Sequence, residues 1–182
     1  NGENDILVAN SNGRAVRFNE STVRNMGRNA TGVRAITLDN DGFDHVVGMI
    51  AIENPEEETV MIVSEYGYGK RSEIEDYRKT NRGGKGVKTI NITEKTGKLI
   101  SIQSVTDDND LMIINKSGIT LRLDVSTIRV MGRATQGVRL INLEKRGDQI
   151  ASICKVNSEP EVTEETEATN GENVDTVENG NN

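Results

Sequence analysis

Twelve of the 22 lysines and arginines in this 182-residue chain stand at fixed distances from three glycines. Arg17, Arg24, Arg28 and Arg34 follow Gly13 at offsets of 4, 11, 15 and 21. Arg71, Arg78, Arg82 and Lys88 follow Gly67 at the same offsets, and so do Arg122, Arg129, Arg133 and Arg139 after Gly118. A solvated surface does not need its charge at fixed positions. A surface that touches a periodic polyanion does, and the commonest such polymer is the nucleic-acid backbone. The third position opens an Arg-x-x-x-Gly loop at Arg28, Arg82 and Arg133. Arginine holds a phosphate bidentately, and the glycine lets backbone N–H groups approach an anion. Lys85 adds a cation inside the second of these loops. The competing reading is a structural turn with a solvated or capping arginine. Arg17, Arg71 and Arg122 flank strands, and either reach phosphate or satisfy carbonyls between repeats.

The cations sit within a longer repeat. DILVANSNGRAVRFNESTVRNMGRNATGVRAITL aligns without a gap with DLMIINKSGITLRLDVSTIRVMGRATQGVRLINL, and a middle copy, TVMIVSEYGYGKRSEIEDYRKTNRGGKGVKTINI, diverges more. The pitch is 51 to 54 residues, so each copy is one supersecondary unit stacked on its neighbours. The apolar pattern is short and β-like. Strands are expected near 6–8, 16–18, 33–38 and 46–52, then near 60–63, 70–74, 87–92 and 99–105, and again near 111–114, 119–123, 138–143 and 150–156. Asn12-Gly13 is a hairpin turn signal, and a single helical turn fits near Ser21. Four short strands per unit predict an all-β, propeller-like array of four-stranded antiparallel blades, at about 5–53, 59–105 and 110–156. Three blades are fewer than the usual four to eight of a closed ring, so more blades lie upstream or the array is an open arc.

Charge must be read by segment. Residues 1–156 are nearly neutral at +1, whereas residues 157–182 hold eight acids and no base. The overall net charge of −7 therefore misstates the body. The acidic stretch has the composition of a disordered tail, either an internal competitor for the basic face or a solubility aid. The sequence holds no long apolar run and no signal peptide, so a membrane location is not expected. A single cysteine, Cys154, suits a reducing cytosol and is expected to be a buried strand residue.

Three blocks carry a family likeness: Tyr66-Gly-Tyr-Gly-Lys-Arg71, Arg82-Gly-Gly-Lys-Gly-Val-Lys88, and Val130-Met-Gly-Arg-Ala-Thr-Gln-Gly-Val-Arg139 with its partner Asn25-Met-Gly-Arg-Asn-Ala-Thr-Gly-Val-Arg34. With the acidic tail, the chain resembles the last three blades of the C-terminal domain of the A subunit of bacterial DNA gyrase. The resemblance implies a six-bladed β-pinwheel in which a blade can donate a strand to its neighbour, and a basic rim that wraps duplex DNA. It implies a parent type II topoisomerase that negatively supercoils DNA with ATP, assembled as A2B2 with the gyrase B subunit, cytoplasmic and nucleoid-associated. ATP and Mg would bind elsewhere, so no cofactor is expected in this chain. The family's gyrase box, Q-R-R-G-G-K/R-G, is matched only in its latter half by Thr80-Asn81-Arg82-Gly83-Gly84-Lys85-Gly86.

No independent enzyme is expected. Tyr66, Tyr68 and Tyr77 lack an accompanying acidic metal cluster, and the family's catalytic tyrosine lies outside this chain. His45 reads as a turn residue. Asp107, Asp108 and Asp110, like Glu56 to Glu58, read as acidic linkers rather than a metal site. Two Phe and three Tyr are too few for a single-strand stacking surface. The alternatives are the equivalent domain of the A subunit of topoisomerase IV and a propeller-like protein-interaction scaffold. The scaffold has no use for arginines at fixed offsets.

Overall fold

The computed structural model describes residues 2–40, 42–143 and 147–157. The acidic tail expected from residue 157 lies outside them, except Asn157, which ends a strand. The strands run in chain order as β1 (Asp5–Asn10), β2 (Arg14–Asn19) and β3 (Val46–Ile52); β4 (Thr59–Ser64), β5 (Tyr68–Glu73), β6 (Val87–Lys88) and β7 (Leu99–Val105); and β8 (Asn109–Asn115), β9 (Thr120–Asp124), β10 (Val138–Arg139) and β11 (Ile150–Asn157). The expected helical turn is a 3-10 turn at Glu20–Thr22, repeated at Ile74–Asp76 and Val125–Thr127. Asn19 and Asp124 cap two of these turns by accepting from the N–H of Ser21 and Ser126.

Each copy opens with a hairpin closed at its turn glycine. Gly13, Gly67 and Gly118 have φ of +77°, +82° and +87°, which an L side chain rarely adopts. At the first two turns the next copy also presses close. A Cβ at Gly13 would lie 2.9 Å from Ile90, and one at Gly67 would lie 2.7 Å from the Ile141 carbonyl oxygen. The Gly13 carbonyl accepts from Thr89 N–H, and the Gly67 carbonyl accepts from Leu140 N–H, both at 2.8 Å.

The strands pair antiparallel in three sheets, of order β3-β1-β2-β6, β10-β5-β4-β7 and β11-β8-β9. Every sheet therefore draws its three long strands from one copy, and its fourth, where present, from the next. β6 places Lys88 opposite Arg14, and β10 places Arg139 opposite Tyr68. This crossing corrects two expectations. Residues 33–38 are not a strand: the equivalent segments pair with the preceding copy, and the described residues hold no such copy for them to join. For the complementary reason the third sheet has three described strands rather than four. The glycine before each crossing strand lies against the receiving backbone: a Cβ at Gly86 would meet the Ala15 carbonyl oxygen at 2.4 Å, and one at Gly137 would meet that of Gly69 at 2.6 Å. The glycine of the Arg-x-x-x-Gly loop thus serves the strand exchange.

The core lies between sheets. Leu7, Ala9, Ile50 and Ile52 of the first sheet pack against Val60, Ile62, Ile74, Tyr77 and Ile90 of the second copy. Met61 and Val63 point the other way, onto Leu111, Ile113, Val125 and Ile128. β4 is apolar at successive positions because the middle sheet is buried on both faces. Each buried valine, leucine, isoleucine or methionine among them contributes roughly 1.5–3 kcal/mol by leaving water.

Candidate nucleic-acid interface

The basic positions divide by where the strand exchange puts them. The first position is internal. Arg17 is 5% and Arg71 is 6% exposed. Arg17 pairs with Asp5 at 2.8 Å and donates from Nη1 to the carbonyls of Ile74 and Tyr77 in the next copy, at 2.9 and 3.1 Å. Arg71 repeats the arrangement one joint along. It donates from Nε to the Ile128 carbonyl at 2.8 Å and pairs with Asp107. These two expected DNA contacts are corrected to staples between blades, the carbonyl reading that the sequence had left open. Arg122 pairs with Asp110 and has a half-exposed side chain, because no further copy supplies carbonyls in this chain. Asp5 and Asp110 hold the same repeat position, eight residues before the turn glycine, where the middle copy has Thr59. That periodic acid, missed as a partner, was visible in the sequence. The Asp5 carboxyl would be raised by burial, but hydrogen bonds from Lys79, Asn19 and Arg17 hold it below its ordinary value. Asp107 and Asp110 are therefore arginine partners as well as linker residues.

The third and fourth positions meet across each joint. Arg82 donates from Nε to the Thr22 carbonyl and from Nη1 to the Arg34 carbonyl, both at 3.3 Å. Arg133 donates from Nε to the Asp76 carbonyl at 2.9 Å and from Nη1 to the Lys88 carbonyl at 2.7 Å. Thr22 and Asp76, like Arg34 and Lys88, are repeat equivalents. The joints therefore bring together two basic pairs, Arg34 with Arg82 and Lys88 with Arg133. A guanidinium has five N–H donors, so each loop arginine keeps donors beyond those spent on carbonyls. Arg28 heads the row without an earlier copy and is exposed, as are Arg34, Lys88 and Arg139. The second-position residues Arg24, Arg78 and Arg129 are exposed too. Arg78 and exposed Lys85 line a cleft of about 380 Å³ with Ala15, Thr80 and Gly84 where the second copy crosses the first.

Other candidates resolve plainly. Tyr77 is buried, its hydroxyl bonded to Thr89, and burial pushes the phenol up to about 12, so it is no accessible nucleophile. Tyr66 and Tyr68 lie in and just after a hairpin turn. His45 is exposed and leads into β3 rather than forming a turn: its carbonyl accepts from Ser11 N–H, and its N–H donates to Ser11 Oγ. Cys154, expected to be buried, is exposed, because the outer face of β11 has no sheet upon it among the described residues. No group of three or more His, Cys, Asp or Glu among the described residues is placed to hold a metal. No helix among them is long and apolar enough to cross a membrane.

The family described as DNA gyrase C-terminal domain, beta-propeller, matches residues 4–53, 58–106 and 109–156. The DNA gyrase A subunit of Staphylococcus aureus (strain NCTC 8325 / PS 47) is 46% identical over 172 residues, covering 92% of this chain and 19% of that protein. The chain thus spans about a fifth of the length of the curated relatives it matches. The solved C-terminal domain of a DNA topoisomerase IV is similar in fold, with TM-score 0.79 at 22% identity over 86% of this chain and 47% of that one. A DNA gyrase A C-terminal domain structure gives TM-score 0.75 at 25% identity over 84% and 50%. With each of its three repeats matched in order, this chain belongs to the DNA gyrase C-terminal domain family of β-propellers.

Proposed function

We propose that this chain is a duplex-DNA-binding module that grips the phosphate backbone along basic pairs formed at its blade joints. The carrying observation is the repeated contact of Arg82 with Arg34 and of Arg133 with Lys88. Equivalent positions on stacked blades differ by a small rotation, so such pairs trace a curved row. DNA that follows the row is bent, at a cost of roughly 1–6 kcal/mol for a short site, offset by added phosphate contacts. Arg24, Arg28, Arg78, Lys85, Arg129 and Arg139 extend the charged surface. Arg17 and Arg71 stay out of it. Binding is led by the backbone and tolerant of sequence, since the chain has no base-reading helix among its described residues and few aromatics.

The 46% identity to a gyrase A subunit supports placing the chain in that protein rather than in topoisomerase IV, whose likeness at 22% identity is one of fold alone. On this reading the parent is the ATP-dependent supercoiling enzyme, an A2B2 assembly with the gyrase B subunit, located at the nucleoid. The blades, at about 5–53, 59–105 and 110–156, present a wrapped DNA segment to it. Strand cleavage, ATP and Mg2+ belong to parts outside this chain.

Filter binding with random-sequence duplex DNA between 50 and 200 mM salt tests the proposal. Log affinity falls linearly with log salt, with a slope of about −0.9 per phosphate held. Absence of binding at 50 mM salt, or binding indifferent to salt, leaves the protein-interaction scaffold instead.

A further inference from the structure

The two blade joints are chemically unlike. Three residues after the turn glycine the copies carry Val16, Lys70 and Leu121, and two residues further on Phe18, Ser72 and Leu123. Val16 and Phe18 join an apolar cluster with Val8 and Ile36. Lys70 is fully buried, and its Nζ donates to the Gly132 carbonyl of the next copy at 2.6 Å. Ser72 Oγ donates to the Met131 carbonyl at 2.9 Å. Between them, the Arg71 carbonyl accepts from Met131 N–H at 2.8 Å. At the first joint the backbone bond recurs, from Thr80 N–H to the Arg17 carbonyl at 2.8 Å. The side-chain bonds cannot recur there, because Val16 and Phe18 have no side-chain donors. Three successive residues of β5 thus grip the two residues that precede Arg133.

We infer that Lys70 is a positioning residue: it seats the Met131–Gly132 segment so that the Arg133 guanidinium lies against Lys88 and this basic pair faces the DNA. The purpose rests on the DNA-binding reading; the seating does not. Packing does not account for a lysine here, since the sister copies fill the position with valine and leucine. Burying an ammonium is costly. Burial pushes Lys70 down from 10.5 to about 8, with Asp76 of the 3-10 turn opposing that shift and Arg133 of the loop adding to it. The Tyr77 phenol, also close to Asp76 and Arg133, stays neutral.

The test is Lys70→Met, read by hydrogen exchange of the free protein and by filter binding. Amides of residues 131–135 should exchange about three- to tenfold faster, the worth of one lost hydrogen bond. Amides of residues 80–84 at the first joint should not change. Affinity for random duplex DNA should fall by a similar factor. Unchanged exchange at 131–135 overturns the seating, whether or not DNA binds. Faster exchange with full affinity, in a protein that does bind DNA, overturns the presentation of Arg133. Faster exchange in a protein whose wild type shows no salt-dependent binding supports the seating and sinks the DNA reading separately. Ser72→Ala removes the second side-chain bond at little risk to folding. If Lys70→Met fails to fold, Ser72→Ala must loosen the same amides, and no loosening overturns the inference.

Discussion

Arg133 donates from Nη1 to the backbone carbonyl of Lys88 at 2.7 Å, so one cation of the proposed DNA surface is anchored on the backbone that carries another. Arg82 stands in the same relation to Arg34. The loop arginine is therefore both a joint and a contact. The second-position arginines, which are exposed, are candidates for contact alone.

Arg129→Ala and Arg133→Ala should separate these roles. Each removes about one unit of salt slope if each holds one phosphate. Arg133→Ala should also lower the melting temperature, and Arg129→Ala should leave it within error. Equal slopes for wild type and both variants would mean that neither side chain touches phosphate.

Arg17→Ala should be among the most damaging single changes. It leaves the Asp5 carboxylate with Lys79 and Asn19 but without its buried partner, takes the guanidinium from the Tyr77 carbonyl and leaves the Ile74 carbonyl its turn bond alone, a loss of about 3 kcal/mol. Arg122→Ala, at the equivalent position but half exposed, should cost under about 1 kcal/mol. Urea unfolding decides, and similar costs for the two would contradict the staple role.

Acid should act on the same pair. The Asp5 carboxyl lies below its ordinary value of 3.8 in the folded chain, so the unfolded chain takes up the proton first. Its stabilisation is full above the ordinary value and is lost as pH falls through the folded one. Asp5→Asn should flatten the acid limb of a stability–pH curve as pH falls below the ordinary value of 3.8. An unaltered limb would place the effect elsewhere.

Alkali should act in the opposite sense at Lys70. Its folded value of about 8 lies below the ordinary 10.5, so between these values the unfolded chain holds the extra proton. The cost is fully present below about pH 8 and is relieved as pH rises to 10.5, a gain on the order of 3 kcal/mol. Lys70→Met should lack this rise. Parallel curves for the two proteins from about pH 8 to 10.5 would refute it.

Strand exchange predicts unequal glycines. Gly137→Ala drives a Cβ into the Gly69 carbonyl at φ +84°, and should cost about 2 kcal/mol or more. Gly132→Ala meets nothing within 4 Å and should cost little. Thermal melts that rank the two the other way would argue against the crossing of β10.

The sequence by itself determined the repeat, its pitch, the hairpins, the all-β class and the periodic arginines. Those are local: a turn glycine, short apolar runs and fixed offsets need no knowledge of neighbours. It could not say which sheet a strand joins. Residues 33–34, 87–88 and 138–139 occupy one repeat position, yet only the last two pairs form strands, because a strand needs a partner and the partner belongs to the preceding copy. The same exchange decided which arginines face water. Arg17 and Arg24 are alike as residues, but the next copy passes over the first and supplies it with carbonyls, while the second stays exposed. Offsets along the chain fix which positions are equivalent. Packing between copies, which acts through space, decides which of them are buried.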